Sequence, residues 1–180
     1  MNTLGNSTEE QALLRPIALW AIAFAEEALA VFEKQHPQDA RLRETIEAAR
    51  EFGEGKKRDK NLRMVAFAAM KAGRDTDEPS KYAAQAAMLT AAVAYTHTDL
   101  QTGVQGIRQA RHILGPIVYS ALAVETESHD PAKADELLTR AVSSAPKEVR
   151  ELLEHMPVQP QKSTRADELF YKLDSFLRNS

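Results

Sequence analysis

An all-α fold, a single-domain bundle of six to eight helices, is what this sequence predicts, on three observations. Alanine occupies 29 of 180 positions, more than any other residue, and it has the highest intrinsic helix propensity. Leu, Glu, Lys, Arg and Gln fill most of the other plausible segments, while Val, Thr and the aromatic residues are too scattered to mark strands. Apolar residues also recur at helical spacing between stops made of proline, glycine and capping residues. At 180 residues the chain suits one domain whose core needs no cross-links.

Residues 1–14 are polar and expected to be flexible, ahead of a bundle over 15–156. Pro16 suits the first turn of a helix running to Gln35, with Ile17, Trp20, Ala21, Phe24, Ala28, Val31 and Phe32 as its stripe. Further apolar residues around that helix (Ala18, Leu19, Ile22, Leu29) predict a central place for it. His36–Pro37 ends it, and Asp39 is the expected cap of a second helix over 40–52, closed by Gly53 and Gly55. A third helix over 60–73 packs through Leu62, Val65, Ala66 and Ala69 and stops at Gly73.

The DTDEPS segment opens a fourth helix over 79–97, and Gly103 and Gly106 predict a break before a fifth over 106–126. Pro116 lies inside that fifth helix, where proline removes a donor and clashes with the carbonyl of His112, so a kink or a junction of two helices is expected. Asp130–Pro131 starts a sixth helix to Ser144, and Pro146 a seventh to His155. Residues 157–163 read as a linker, and 164–180 as a capped C-terminal helix docking through Leu169, Leu173, Phe176 and Leu177.

Composition narrows the function classes. A net charge of −3 does not point to nucleic acid, whose binders carry a basic patch. Without cysteine there is no disulfide, thiolate or zinc–sulfur chemistry. The N-terminus carries Glu9 and Glu10 where a signal peptide would be basic and then apolar. The longest apolar run, 16–25, ends at Glu26–Glu27, short of the ~20 residues that span a bilayer. The expectation is a soluble cytoplasmic protein with no membrane or nucleic-acid partner and no cofactor.

Two segments hold the candidate chemistry. Asp39, Arg41, Arg43, Glu47 and Arg50 place guanidinium and carboxylate groups at i, i+3 and i+4 spacings on one helix. Such a face presents forks to a carboxylate or phosphate, or is an ordinary solvated face of weak ion pairs. His97, Asp99 and His112 could bind a metal or shuttle a proton, but no HxxxH spacing occurs and neither His97 nor His112 closes an ExxH, so hydrogen-bonded structural histidines are the simpler reading. Tyr119, with Tyr95 and Trp20, would line a pocket or join the core. Glu26, Glu27, Glu125 and Glu127 do not make a carboxylate-bridged dimetal site, which needs a Glu-x-x-His pair on each of two helices, where this chain has a single one at Glu33–His36. Ionisable groups beside a packed core need partners, so segments 32–55 and 97–125 are expected to meet in space.

Three stretches carry a family resemblance: AEEALAVFEKQHPQD with RLRETIEAAREFGEG, the alanine-rich run from Val65 to Tyr95, and His97 with RHILGPIVYSALAVE. Across residues 16–126 the chain resembles a family of bacterial putative immunity proteins associated with polymorphic toxin systems. The family pattern often has proline where this chain has Leu42, tryptophan where it has Phe52, and more closely spaced histidines. By motif the resemblance carries over Glu27, Pro37, Asp39, Arg41, Arg43, Glu47, Arg50, His97, His112 and Tyr119. It implies a non-catalytic binding protein, not an enzyme, that neutralises a cognate toxin by direct binding. The alternative is a small-molecule-binding or enzymatic domain around His97, His112, Tyr119 and Glu125, with a polar cavity beside Pro116. A third reading is a homodimeric scaffold that swaps its 163–178 helix.

Overall fold

Pro16 does not begin the first helix. In the computed structural model, which describes residues 8–99 and 102–180, α1 (Thr8–Gln35) starts before it at Thr8. Glu10, Gln11 and Leu14 are already buried, so residues 8–14, expected to be flexible, are the first turns of α1. The apolar Leu14 side chain, fully buried, supplies the packing that a reading of polar composition misses. Residues 1–7 of that expected flexible terminus lie outside the described residues.

Seven further α-helices follow among the described residues, without a strand: α2 (Arg41–Gly53), α3 (Lys60–Ala72), α4 (Glu78–Ala92), α5 (Gly103–Ser128), α6 (Pro131–Ser144), α7 (Lys147–Glu154) and α8 (Arg165–Arg178). Their starts follow local chemistry. Asp59, Asp77, Asp130 and Thr164 each accept a backbone N–H from the first turn of α3, α4, α6 and α8. α2 is different. Its cap position is Ala40, and Asp39 instead takes the Arg41 N–H at 3.1 Å and holds the Arg41 guanidinium.

The fourth helix ends earlier than its alanine content suggests. α4 tightens into a 3-10 turn at Val93–Tyr95, which leaves His97 outside any helix. α5 by contrast is one helix through Pro116, not two. Residues 113–118 are all buried, so packing on every side holds the helix together where a ladder bond is missing.

α1 occupies the centre as expected, packed against α2, α4 and α5 and touching α6 and α7. α1, α4 and α5 pack on one another and carry many small buried side chains: Ala21, Ala25 and Ala28 of α1, Ala83, Ala87 and Ala91 of α4, Ala110 and Ala121 of α5, each at most 1% exposed. Larger groups fill the remaining space, and the Trp20 indole donates to the Ala141 carbonyl of α6 at 3.1 Å. The Thr45 hydroxyl of α2 reaches the Val65 carbonyl of α3 at 2.8 Å, tying the outer helix pair together.

One close approach is testable. A Cβ on Gly73, at the end of α3, would sit 2.7 Å from the Cβ of Ala84 in α4, which has no flexible end to move aside. Gly73→Ala should therefore lower stability by about 1–3 kcal/mol, the range for overpacking. That outweighs the roughly 0.4–1 kcal/mol an alanine contributes by stiffening the unfolded chain. Urea denaturation of the two proteins measures the difference.

Candidate functional site

The charged edge of α2 does not meet the histidines. Arg43 grips Glu33 of α1, with both carboxylate oxygens 2.6 Å from its Nη2. Arg50 reaches Glu26 of α1 and, more loosely, Glu47 at 3.4 Å. Arg41 turns back onto Asp39, whose carboxyl is held below the usual range chiefly by that hydrogen bond. The expected meeting of segments 32–55 and 97–125 is thus replaced by a brace between α2 and α1. The reason is reach: α1 presents Glu26 and Glu33 one helix away, so the arginines are satisfied locally. These pairs stand in water, with the Arg43 side chain 63% exposed, so each contributes little to stability.

His97 and His112 do come close. The His97 backbone N–H donates to the Gln109 side chain at 2.8 Å, one turn before His112 on α5. The His97 ring lies in solvent, 4.0 Å from Asp99. His112 is half-buried, and its Nδ1 is enclosed without a hydrogen-bond partner among the described residues. Burial, with a smaller contribution from the charge of His97, pushes the His112 pKa below its ordinary value. Among the described residues no three His, Asp or Glu side chains are grouped to hold a metal ion.

Tyr119 and Glu125 belong to a different arrangement. The Tyr119 ring stacks on Tyr82 at 6.2 Å and meets Phe170 of α8 edge-on at 5.9 Å, and burial raises its phenol pKa. Glu125 accepts both Nε and Nη2 of Arg165. Pro116, beside which a polar cavity is expected, is flanked by buried residues. Leu89 of α4 lies against Gly115. His97, His112, Tyr119 and Glu125 therefore do not converge on one pocket.

The strongest polar cluster escaped sequence reading. Arg111 of α5 donates to Gln159 at 2.9 Å, pairs with Asp167 of α8 at 2.5 Å, and lies 4.4 Å over the Phe170 ring. Asp174, with no exposed surface, accepts the Gln159 N–H and the Arg178 Nε, both at 2.9 Å. These groups clamp α8 and the 157–163 segment onto α5. The signal was present: Arg111 interrupts the apolar stripe Ile107, Leu114, Val118, and Asp174 with Arg178 are i, i+4. A charge in a core stripe demands an opposite charge from elsewhere.

The bundle from α1 to α6 is also what the comparison with known families matches. The family model described as Imm-5 like putative immunity protein covers residues 7–148. The chain belongs to this family. No curated protein and no solved structure matches it. In this Imm-5 like protein the family match stops as α7 begins, so the clamp joins helix α8, beyond the match, to Arg111 and Glu125 inside it. No helix among the described residues is long and apolar enough to cross a membrane.

Two expectations follow. Asp174→Ala removes the fully buried acceptor of the Arg178 Nε and the Gln159 N–H, so it should cost about 3 kcal/mol. A fall in the urea midpoint that a doubly substituted Asp174→Ala, Arg178→Met protein partly recovers would identify the buried pair. For His112, the unfolded chain takes up a proton near the ordinary 6.5 while the folded one waits for lower pH. Stability is then full above about pH 6.5 and falls as the pH drops below it. Replacing His112 by Leu should flatten the fall in melting temperature between pH 7 and 5.

Proposed function

We infer that this chain is a binding protein that neutralises a cognate toxin by direct contact, contributing no chemistry of its own. The family match across residues 7–148 carries the reading, because it spans the whole α1–α6 bundle and not a single motif. The character of the bundle supports it. A core lined by alanine and closed at Pro116 offers a rigid scaffold, and rigid partners lose little conformational entropy on association. The proposed site of action is the cytoplasm.

The exposed charges of α2 are the proposed anchors at the rim of the contact. Arg41, Arg43, Glu47 and Arg50 are already oriented by Asp39, Glu33 and Glu26, so a toxin surface would meet a preset pattern. Rim charges of this kind guide encounter and select partners more than they add affinity. His97, whose ring lies in solvent, adds an imidazole to the surface available for recognition.

The direct test mixes the purified chain with the toxin domain encoded beside its gene. A stoichiometric complex on gel filtration, with Kd below about 1 μM and loss of toxic activity, is the expected result. Toxin that keeps both its free elution volume and its activity would overturn the reading.

A further inference from the structure

Helix α3 is amphipathic the wrong way round for an outer helix. Its inner face is small (Leu62, Ala69, Ala72), while its solvent face carries Met64, Phe67 and Met70, which are 67%, 55% and 37% exposed. These three lie at i, i+3 and i+6, so they run along one side of the helix. Other large exposed apolar residues are spread over α1, α5, α8 and the 157–163 segment. A run on one helix marks an interaction site more than scattered residues do.

Several arginines elsewhere in the bundle are held by carboxylates, as at Arg43, Arg50, Arg111, Arg140 and Arg165. On α3 and its edge, Lys60, Lys71, Arg74 and Lys81 are exposed and make no ion pair with the described residues. They share this edge of the bundle with the carboxylates Asp59, Asp75, Asp77 and Glu78 at the two ends of the helix. Beside them a depression of about 250 Å³ opens at the α3–α4 corner, lined by Met70, Gly73, Arg74, Lys81, Ala84 and Gln85.

We propose that the outer face of α3 is the centre of the toxin contact, where Phe67, Met64 and Met70 meet an apolar side chain of a partner protein and its surrounding carboxylates meet Lys60, Lys71, Arg74 and Lys81. This rests on the neutralisation reading above and names the surface that performs it. An apolar centre of Phe and Met with a charged rim is how specific protein interfaces are built. Flexible thioethers at Met64 and Met70 fit an irregular partner surface. The α3–α4 depression is concave and about the size of one inserted side chain, which suits a protein knob. A flat anionic membrane suits it less, because it offers no protrusion to fill the depression. α2 is tied to α3 through Thr45 and Val65, while its charged edge at Arg43, Glu47 and Arg50 lies on the other side of that helix, toward α1.

The test measures binding of the same toxin domain to wild type, Phe67→Ala, Lys71→Glu with Arg74→Glu, and Val104→Ala, an exposed apolar control on α5 that is 65% exposed. Phe67→Ala should weaken binding by about 30-fold or more, the signature of a central hot spot. The double charge reversal should weaken it most at low salt, and the gap should narrow as salt rises. Val104→Ala should bind as wild type does. Melting temperatures should be unaltered, since all these side chains stand in solvent. Wild-type affinity retained by Phe67→Ala would overturn the assignment of α3 while leaving neutralisation intact. Failure of the wild type itself to bind would overturn both. Phe67-dependent sedimentation with phosphatidylglycerol vesicles, or a toxin-free dimer abolished by Phe67→Ala, would replace the protein partner by a membrane or by a second copy.

Discussion

The close approach of α1, α4 and α5 is the constraint on which the rest of this bundle depends. Side chains of one carbon at Ala21, Ala25, Ala28, Ala83, Ala87, Ala91, Ala110 and Ala121 let three backbones pack together. Alanine loses no rotamer freedom on burial, so the contact is made without the entropy that longer side chains give up. Shortening the distance between helix axes also strengthens the many small dispersion contacts between them. The consequence is that residues 113–118 of α5, Pro116 among them, are all buried. It also explains why α5 survives its proline, since buried neighbours on all sides hold the chain where a hydrogen bond is absent.

With the centre closed to polar groups, the chain's charges are sorted into two sets. Most are neutralised in pairs that join one helix to the next: Glu27 with Arg140, Glu33 with Arg43, Lys34 with Glu127, Glu125 with Arg165. These pairs stitch the exterior of the bundle, and their worth is more in orientation than in free energy. The deepest pairs among the described residues are Asp174 with Arg178, in the clamp on α8, and Glu10 with Arg58, and there loss of one partner is costly. The cations on α3 belong to the other set, without partners and beside exposed apolar groups.

Much of the architecture was legible in the sequence because alanine content, helical spacing and proline or glycine punctuation agreed with one another. The sixth and eighth helices, with Asp130–Pro131 and Thr164 as start signals, are found where those signals place them. The errors have physical causes. Composition suggested flexibility for residues 8–14, but one well-buried leucine at 14 outweighs several polar neighbours. Alanine favoured a longer α4, yet tertiary packing ends it in a 3-10 turn before His97. The charged segment at 39–50 was correctly seen as needing partners and wrongly assigned them, because helix spacing says which residues share a face and not which helix lies opposite. Arg111 posed the same problem in reverse, since its partners lie 48 and 56 residues away.

Topology then limits where recognition can occur. α1 is enclosed by its neighbours, and the outer side of α5 is taken up by α6 and α8. α8 is held there by Arg111 and Glu125, residues within the family match, although α8 itself lies past its end. α3 packs chiefly on α2 and α4 and forms the outermost layer on the opposite flank. A surface that must face a partner and also stay fixed is best placed on a helix that is peripheral yet anchored, and α3 is anchored by Leu62 and Ala69 beneath and by Thr45 at its side. Leaving Met64 and Phe67 in water forfeits the transfer free energy that burying them would supply. Folding alone would favour their replacement by lysine or glutamate, so their exposure points to a role outside the fold.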